Sequence, residues 1–338
     1  MKHTLESIAA LAGVSRGTVS RVINNQPGVK PRVREKVLGI IEQTGYVPHP
    51  QARSLAGGKT GNIGVMVFGL KPDFLTHHIF YEVLQGIQAD SAANAYDLLL
   101  FANRSHADQE YWKGIAAKRK VDGLIIMGEQ IQQEYLQYYR QHDIPFVLIG
   151  KRIYDQLPLA CVTSNYRSGA YEATRHLLSK GRRRIAYIRG LMDTYHEDER
   201  FAGYSQALLE AGLSVDPSLI IAGRADQQEA YVQMREQLLH RRLEFDAVFA
   251  ANDWMALGAM EALLEQGYRI PQDAAVVGFD DIQTAAYFSP PLTTVRQNKR
   301  KLGQEAIGLM LNMLGGELDA HAAKDIIVDC ELIVREST

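Results

Sequence analysis

The chain is poor in the features that mark secreted, metal-binding or membrane-spanning proteins. Its 338 residues include two cysteines, Cys161 and Cys330, and their spacing matches no metal-ligand motif. We therefore expect both thiols to be reduced and buried. No apolar run approaches the ~18 residues that a membrane-spanning helix needs. Residues 1–20 also lack the basic-then-apolar pattern of a signal peptide, so we expect a cytoplasmic protein without membrane contact.

Catalytic signatures are missing as well. The sequence has no Ser/His/Asp or Cys/His arrangement and no phosphate-binding loop, so we predict no enzymatic activity and no cofactor. Two histidine-containing stretches are weak metal candidates. "HHIF" at 77–80 has no third ligand at a suitable spacing, and "HEDE" at 196–199 lacks the HExxH spacing. We interpret them as an ordinary loop and a solvated helix start, and predict no metal site.

Charge is distributed unevenly along the chain. The net charge is −2, but residues 1–59 carry nine Lys or Arg against three acids, which leaves +6 there and −8 elsewhere. A basic head on an acidic body is typical of one domain that faces a polyanion. A chance cluster of surface cations would give the same totals, so charge alone leaves both interpretations open.

The first 47 residues predict a small all-α domain of three short helices. Thr4 and Ser15 are candidate N-caps for the first two helices, and Pro31 and Gly45 bound the third. Helical spacing predicts three inward faces: Leu5, Ile8, Ala9 and Leu11, then Val19, Val22 and Ile23, then Val33, Val37, Ile40 and Ile41. Two short helices joined by a glycine-containing turn are typical of a helix-turn-helix. A small helical domain with a solvated face fits the same pattern.

The outward face of the predicted second helix is rich in hydrogen-bond donors. Arg16, Ser20 and Arg21 lie on it, together with Gly17. Arginine can bond guanine bidentately in the major groove, and hydroxyl side chains can reach phosphates. These donors are explained if this helix enters DNA.

Residues 48–60 separate the head from a larger body. Pro48 and Pro50 break the third helix, and "QARSLA" offers only one or two helical turns, so we expect a linker that orders conditionally. Further on, apolar runs such as "IGVMVF" and "GLIIMG" alternate with amphipathic helices, and the alternation recurs after residue 160. Such runs predict two parallel-sheet lobes, with a ligand cleft at the carboxyl ends of the strands.

Several motifs in a fixed order resemble the LacI/GalR family of bacterial transcription regulators. The head "IAALAGVSRGTVSRVINNQPGV" is highly specific, and "RRRIAYIRG", "FAANDWMALGAMEAL", "VVGFDDI" and "PPLTTVRQNKRKLGQEAIGLM" follow in the family order. The resemblance implies a sequence-specific regulator, a repressor by expectation, that binds a near-palindromic operator as a homodimer and answers to a small effector. It also implies a helix-turn-helix head at 1–47, a hinge at 48–60 and a periplasmic-binding-protein-like body at 61–338. The two lobes of that body are expected to divide near 161–164 and 290–294.

The resemblance also assigns positions that contact DNA. The recognition helix corresponds to residues 15–24, and a hinge helix wedges a leucine into the minor groove, where an apolar side chain can part a base step. The residues expected at DNA are Thr4, Ser15, Arg16, Gly17, Thr18, Ser20, Arg21, Asn24, Lys30, Arg53 and Leu55. Lys30 departs from the family because a Ser or Thr cap is usual there, and Gly17 offers no side chain at a base-facing position. We therefore expect base readout to rely on Arg16 and Arg21.

For the effector, the resemblance points to polar positions at strand ends. The expected contacts are Phe80, His196, Arg200, Asn252, Asp253 and Asp280, a set that suits a carbohydrate or another polar ligand. Arg200 could instead form a helix-start ion pair with Glu197 or Glu199. Trp254 could stack on a sugar ring or pack in the core.

Three cleft positions depart from the family pattern, so the identity of the effector does not carry over. Ser164 stands where Asp is frequent, Gly150 replaces a common acidic residue, and "HHIF" replaces an Asn-Pro-Phe loop. Lys151 and Arg152 follow Gly150 and could hold an anionic effector, although a solvated loop is the simpler interpretation.

Two other functional classes fit parts of the sequence. A soluble sugar-binding protein would share the body, but the basic head and the missing signal peptide argue against it. An enzyme that uses the cleft would need a catalytic constellation, and the sequence offers none. Family tetramers use a leucine-heptad helix, and no such heptads follow "DIIVDCELIVRE", so we expect a dimer.

Overall fold

The computed structural model describes residues 3–23, 26–46, 59–68, 78–102, 109–128, 131–154, 157–240 and 243–338. The chain divides into two compact units, Met1–Asn62 and Ile63–Thr338. The predicted hinge at 48–60 lies outside the described residues apart from its last two positions.

Among its described residues, the first unit holds three helices, α1 (Leu5–Ala12), α2 (Arg16–Ile23) and α3 (Pro31–Thr44). Thr4 caps α1 because its hydroxyl accepts from the Ser7 backbone N–H, and the Ser7 hydroxyl accepts from the backbone N–H of Thr4 in return. The glycine that ends α3, Gly45, has φ 59°, the left-handed conformation that glycine adopts without strain. The core contains Ile8, Ala9, Ala12, Val19, Val22 and Val37.

One residue of the predicted inward face of α1 is on the outside. Leu11 is 55% exposed, whereas Ile8, Ala9 and Ala12 are buried. At ~100° per residue, Leu11 lies more than a quarter-turn from the centre of the face that these three residues share. The sequence-based prediction of Leu11 as a core residue was therefore wrong.

The second unit consists of two lobes, each built on a six-stranded sheet. The first sheet has the order β11-β5-β4-β3-β1-β2. Its strands are β1 (Asn62–Phe68), β2 (Asp97–Ala102), β3 (Gly123–Gly128), β4 (Phe146–Ile149), β5 (Ala160–Ser164) and β11 (Lys324–Val328). Its helices are α4 (His78–Ala93), α5 (Gln109–Ala117), α6 (Gln133–Gln141) and α12 (Lys299–Gly315).

The second sheet has the order β12-β10-β9-β8-β6-β7, and its β10–β12 pair is antiparallel. Its strands are β6 (Ile185–Arg189), β7 (Ile220–Ala222), β8 (Ala247–Ala250), β9 (Ala275–Asp280), β10 (Thr293–Gln297) and β12 (Cys330–Ile333). Its helices are α7 (Tyr166–Ser179), α8 (Tyr195–Glu210), α9 (Gln227–His240), α10 (Asp253–Glu265) and α11 (Gln283–Tyr287).

The strands are apolar on both sides because helices cover both faces of each sheet. In β1, Ile63 and Val65 join the hydrophobic cluster on one face of the first sheet, and Met66 and Phe68 join the cluster on the other. Helix α12 supplies much of the first cluster, through Leu302, Ala306, Ile307, Leu309, Met310 and Met313. A parallel sheet buried on both faces needs such continuous apolar runs.

In the described ranges, the chain passes between the lobes three times, at Asn165, Asn298 and Asp329. Asn165 joins two crossings because its side-chain amide donates to Asp329 at 3.1 Å and its backbone N–H donates to the carbonyl of Val328 at 2.8 Å. The expected divisions near 161–164 and 290–294 lie just before the first two crossings. The third has no counterpart among the predictions because "DIIVDCELIVRE" reads as one continuous strand.

Candidate functional site

The DNA-facing surface predicted from the sequence is carried by α2. Ser15 caps this helix, since its hydroxyl accepts from the Thr18 backbone N–H at 3.1 Å and lies 2.9 Å from the Thr18 hydroxyl. Arg16, Gly17 and Arg21 are exposed, and Thr18 and Ser20 are half-buried. The helix thus keeps its valines in the core and its cationic side chains in solvent.

Arg16 has a partner that the sequence did not indicate. Its Nη1 lies 3.1 Å from Oε1 of Glu6 in α1, and both side chains are exposed. The two residues lie on different helices ten positions apart, and no helical spacing links them. Only the packing of α1 against α2 brings them together.

The remaining predicted DNA residues fall into two groups. Thr4 is engaged in the α1 capping box, and Lys30 precedes Pro31 as an exposed N-cap that makes no side-chain capping bond. Asn24, Arg53 and Leu55 lie outside the described residues. The assignment of these residues to DNA contact stays a prediction.

In the body, a chain of buried polar side chains runs from the first lobe to the second. Ser164, at the end of β5, donates its hydroxyl to Oε1 of Gln297 at the end of β10, 2.7 Å away. The Gln297 amide donates to Oδ1 of Asp280 at 2.6 Å, and Nη2 of Arg200 lies 3.6 Å from that same oxygen. Asp280 has φ 117°, a strained conformation for a residue with a side chain and one that is concentrated at functional sites.

Arg200 is the most constrained cation of this region. It is 7% exposed, and its guanidinium carbon lies 4.9 Å from the ring centre of Tyr166 and 4.4 Å from that of Phe279. Its Nε is buried without a hydrogen-bond partner among the residues that the structure describes. Burial is the largest single influence and disfavours the charge, but the Asp280 carboxylate, acting together with Tyr166, Glu197 and Tyr187, keeps the pKa of Arg200 above its ordinary value.

The alternative ion pairs for Arg200 are occupied by other cations. Glu197 is fully buried and accepts from the Tyr187 hydroxyl, the Gly190 backbone N–H and Nε of Arg189. Glu199 pairs with Arg167 at 3.0 Å. Arg200 therefore has its carboxylate contact with Asp280, on a different element of the lobe.

The two polar residues at the start of α10 have different surroundings. Asn252 caps the helix by accepting from the Met255 backbone N–H at 2.8 Å. Asp253 is fully buried and accepts from the Ile282 backbone N–H at 2.8 Å and the Thr294 hydroxyl at 2.5 Å. Burial raises the pKa of Asp253 well above its ordinary value. These bonds tie α10 to the segment after β9, which is a structural task for Asp253.

The other predicted effector residues are also spread over different surroundings. His196 is half-buried, with Nε2 3.3 Å from the Thr194 hydroxyl, and burial, then the charges of Arg200 and Arg152, hold its pKa well below the ordinary value. Phe80 is buried in the hydrophobic cluster of the first lobe. Trp254 is exposed on the first turn of α10 and does not pack in the core.

Lys151 and Arg152 do not lie in a solvated loop. Lys151 contacts Asp325 at 2.5 Å, and its ammonium lies 5.6 Å from the ring centre of Tyr195 in the opposite lobe. Arg152 donates to the carbonyls of Lys151 and Gly128 at 2.8 and 2.6 Å. Both side chains are half-buried just beyond the carboxyl end of β4, a central strand of the first sheet, and Lys151 faces α8 of the second lobe.

No group of three or more His, Cys, Asp or Glu among the described residues is placed to hold a metal ion. No helix in the same ranges combines the length and apolar character required to span a bilayer.

Comparison with known proteins relates both units to characterised regulators. The family model for bacterial regulatory proteins of the lacI family matches residues 4–49, and that for a periplasmic binding protein-like domain matches residues 174–338. The HTH-type transcriptional regulator CelR of Thermobifida fusca is 34% identical over 337 residues, covering 99% of this chain and 98% of CelR. The HTH-type transcriptional repressor PurR of Vibrio atlanticus (strain LGP32) is 35% identical over 317 residues, with 92% of each chain covered.

Full-length matches among solved structures include two complexes with small ligands. A transcriptional regulator CelR–cellobiose complex has a TM-score of 0.75 at 33% identity and covers 99% of this chain and 100% of its own. The lac repressor dimer bound to operator and the anti-inducer ONPF has a TM-score of 0.80 at 27% identity, with 100% and 99% covered. The predicted fold, a helix-turn-helix head with a periplasmic-binding-protein-like body of two lobes, is confirmed. The relatives are transcriptional regulators and not enzymes.

Proposed function

Because the chain belongs to the lacI family of bacterial regulatory proteins and is a DNA-binding transcriptional regulator, we propose that it is a repressor controlled by a small polar effector. The effector, a carbohydrate or carbohydrate derivative, binds between the two lobes of the body. The head at 1–47 binds a near-palindromic operator, the segment at 48–60 acts as a hinge, and the body at 61–338 binds effector and forms a homodimer.

The observation that carries this proposal is the state of Arg200. A guanidinium that is almost fully buried against two aromatic rings, with a buried Nε that has no hydrogen-bond partner in the described ranges, is costly for the fold. Such a cost is understandable at a binding site, where a ligand oxygen accepts the remaining hydrogen bonds. Asp280 and Gln297 lie beside it and extend the polar surface.

Carbohydrate is the ligand class that suits this chemistry. A sugar hydroxyl both donates and accepts, so neighbouring hydroxyls can bond the Arg200 donors and the Asp280 acceptor together. Aromatic rings at the site, such as Tyr166, suit the apolar face of a sugar ring. The solved complex of CelR with cellobiose supports the same class. PurR is as similar in sequence as CelR, so overall identity does not choose between effectors.

Control of DNA binding follows from lobe closure. Ser164 and Gln297 bond to each other from opposite lobes, next to two of the three chain crossings. An effector that bridges the lobes favours one lobe arrangement by its differential affinity for the two. In the proposed dimer, that change alters the spacing of the two hinges and hence operator affinity. The repressor dimer on operator among the solved relatives supports this assembly.

A ligand screen followed by a DNA-binding assay tests the proposal. Thermal shift with cellobiose, other sugars, sugar phosphates, sugar acids and nucleobases should reveal one class that raises the melting temperature. The same ligand should change the affinity of the full-length protein for the DNA upstream of its own gene. Stabilisation by nucleobases alone would overturn the carbohydrate class. A ligand that stabilises the protein without changing DNA affinity would overturn the coupling.

A further inference from the structure

The Glu6–Arg16 ion pair lies on the surface predicted to face DNA, and folding gains little from it. The two side chains are 57% and 69% exposed, and ion pairs with this exposure contribute little to stability because water screens them. A carboxylate also has the wrong charge for a surface that meets phosphates, because it repels the DNA backbone. Neither the stability of the head nor attraction to phosphates therefore explains this ion pair.

The Glu6 carboxylate is held in place at the start of α1 by several interactions. Its carboxylate interacts with its own backbone N–H, with the Thr4 side chain and with Arg16, and all three lower the pKa of Glu6. Thr4 is itself held by the capping box with Ser7. Glu6 thus stays ionised at neutral pH, and it presents its charge from a defined place at the start of α1.

Arg16 is the first residue of α2 and lies beside Ser15, Gly17 and Thr18 on the first turn. The hydroxyls of Ser15 and Thr18 bond to each other. Gly17 has no side chain, although a Cβ there would meet only the Ser15 hydroxyl at 3.7 Å, an ordinary contact. The fold therefore does not require glycine at this position, and the surface beside Arg16 is left open.

We propose that Glu6 is a positioning residue for base recognition, which holds the Arg16 guanidinium so that it meets a guanine in the major groove. The Nη1 of Arg16 faces Glu6, so the Nε–Nη2 edge remains for the O6 and N7 acceptors of the base. A side chain fixed before binding loses less rotamer freedom on the DNA. Because Glu6 also repels phosphates, it raises discrimination between sequences at the expense of overall affinity.

This proposal rests on the predicted base-reading role of Arg16, and the two can fail separately. The probe is the duplex that the full-length wild-type protein selects from a randomised pool, together with a panel of single-base-pair variants in one half-site. Arg16→Ala should reduce discrimination at one base pair by roughly fivefold to a hundredfold. If it weakens binding to all duplexes equally, Arg16 contacts a phosphate and the base-reading role is wrong.

Glu6→Gln tests the positioning role. Discrimination at the Arg16-dependent base pair should fall roughly threefold to tenfold, while affinity for non-specific DNA is unchanged or higher. In an Arg16→Ala background, Glu6→Gln should have no further effect on discrimination. Glu42→Gln removes the same charge from an exposed site on α3 and serves as the control. It should change the affinity for all duplexes by the same factor and leave discrimination unchanged.

The outcomes separate the proposal from a structural role for Glu6. Unchanged discrimination in Glu6→Gln, or an equal loss of discrimination with and without Arg16, would overturn it. If Glu6→Gln disturbs the head, Arg16→Lys supplies the second test, since lysine keeps the charge but cannot bind Glu6 and a base through two edges. Retention of wild-type discrimination by Arg16→Lys would equally contradict the proposal.

Discussion

The head and the body each rely on an arginine, but they place it in opposite surroundings. The side chain of Arg16 is 69% exposed and faces an exposed glutamate, whereas that of Arg200 is 9% exposed and packs against two aromatic rings. Dissolved ions screen the charge of the first and reach the second poorly. DNA attracts exposed cations at a distance through its dense phosphates, but a small polar ligand must be recognised at contact distance. The difference predicts salt-sensitive binding by the head and salt-tolerant binding by the cleft.

The largest effect is expected from Arg200→Ala, which removes the buried cation. Two hydrogen bonds from a guanidinium are worth roughly 3 kcal/mol or more, so effector affinity should fall at least ~100-fold, while operator binding remains. Titration calorimetry with the effector found by screening measures the loss. Arg167→Ala, which removes an exposed cation paired with α8, is the matched control and should bind effector normally. Wild-type effector affinity in Arg200→Ala would remove this residue from the site.

Arg21→Ala tests DNA recognition by an exposed arginine of the head. If Arg21 bonds a guanine bidentately, the substitution should cost about 1–3 kcal/mol on the preferred operator and relax the preference at one base pair. Competition binding at one salt concentration, with operator and non-specific duplexes, measures the difference. Equal weakening on every duplex would make Arg21 a phosphate contact.

The half-buried His196 in the body should make the free energy of unfolding depend on pH. The pKa of His196 is well below its ordinary value in the folded protein, so the folded state stays neutral while the unfolded chain binds a proton below about pH 6.5. Stability from this residue is complete above that pH and falls as the pH drops, by up to about 1.4 kcal/mol per unit. His196→Gln should remove this slope from urea unfolding curves collected between pH 7 and 5. An unchanged slope would show that another group titrates.

The smallest effect is expected at Gly17. Alanine there meets no close contact within the head and should stabilise α2 by up to about 1 kcal/mol, because glycine costs that much in a helix. Its methyl group should also crowd the base edges and weaken operator binding. Hydrogen exchange of the α2 amides and operator titration, both on the full-length protein, measure the two changes. A gain in both stability and operator affinity would show that this position does not approach DNA.

The sequence predicted elements and their order better than it predicted partners. Periodic apolar residues indicated three head helices and two lobes of parallel strands, because burial on one face or both leaves a repeating pattern. Resemblance to the family marked Arg200 and Asp280, which the structure brings within 3.6 Å. The Ser164–Gln297 bond joins positions 133 residues apart, and no local pattern encodes such a pairing. Asp253 shows the same limit, since the family resemblance marked it as an effector contact but no local pattern indicated its bonds to Ile282 and Thr294.

The three crossings between the lobes also determine the order in which the protein can be completed during synthesis. Helix α12 and strand β11 belong to the first lobe but leave the ribosome after β6 to β10 of the second. At ~5–20 residues per second, the unfinished first lobe waits on the order of ten seconds. Throughout that interval the apolar face of β3, β4 and β5 that α12 later covers is open to chaperones and to other nascent chains. The segment from α12 to β12 thus completes both lobes at the end of synthesis. A chain truncated before α12 would leave both lobes incomplete, and not only the second.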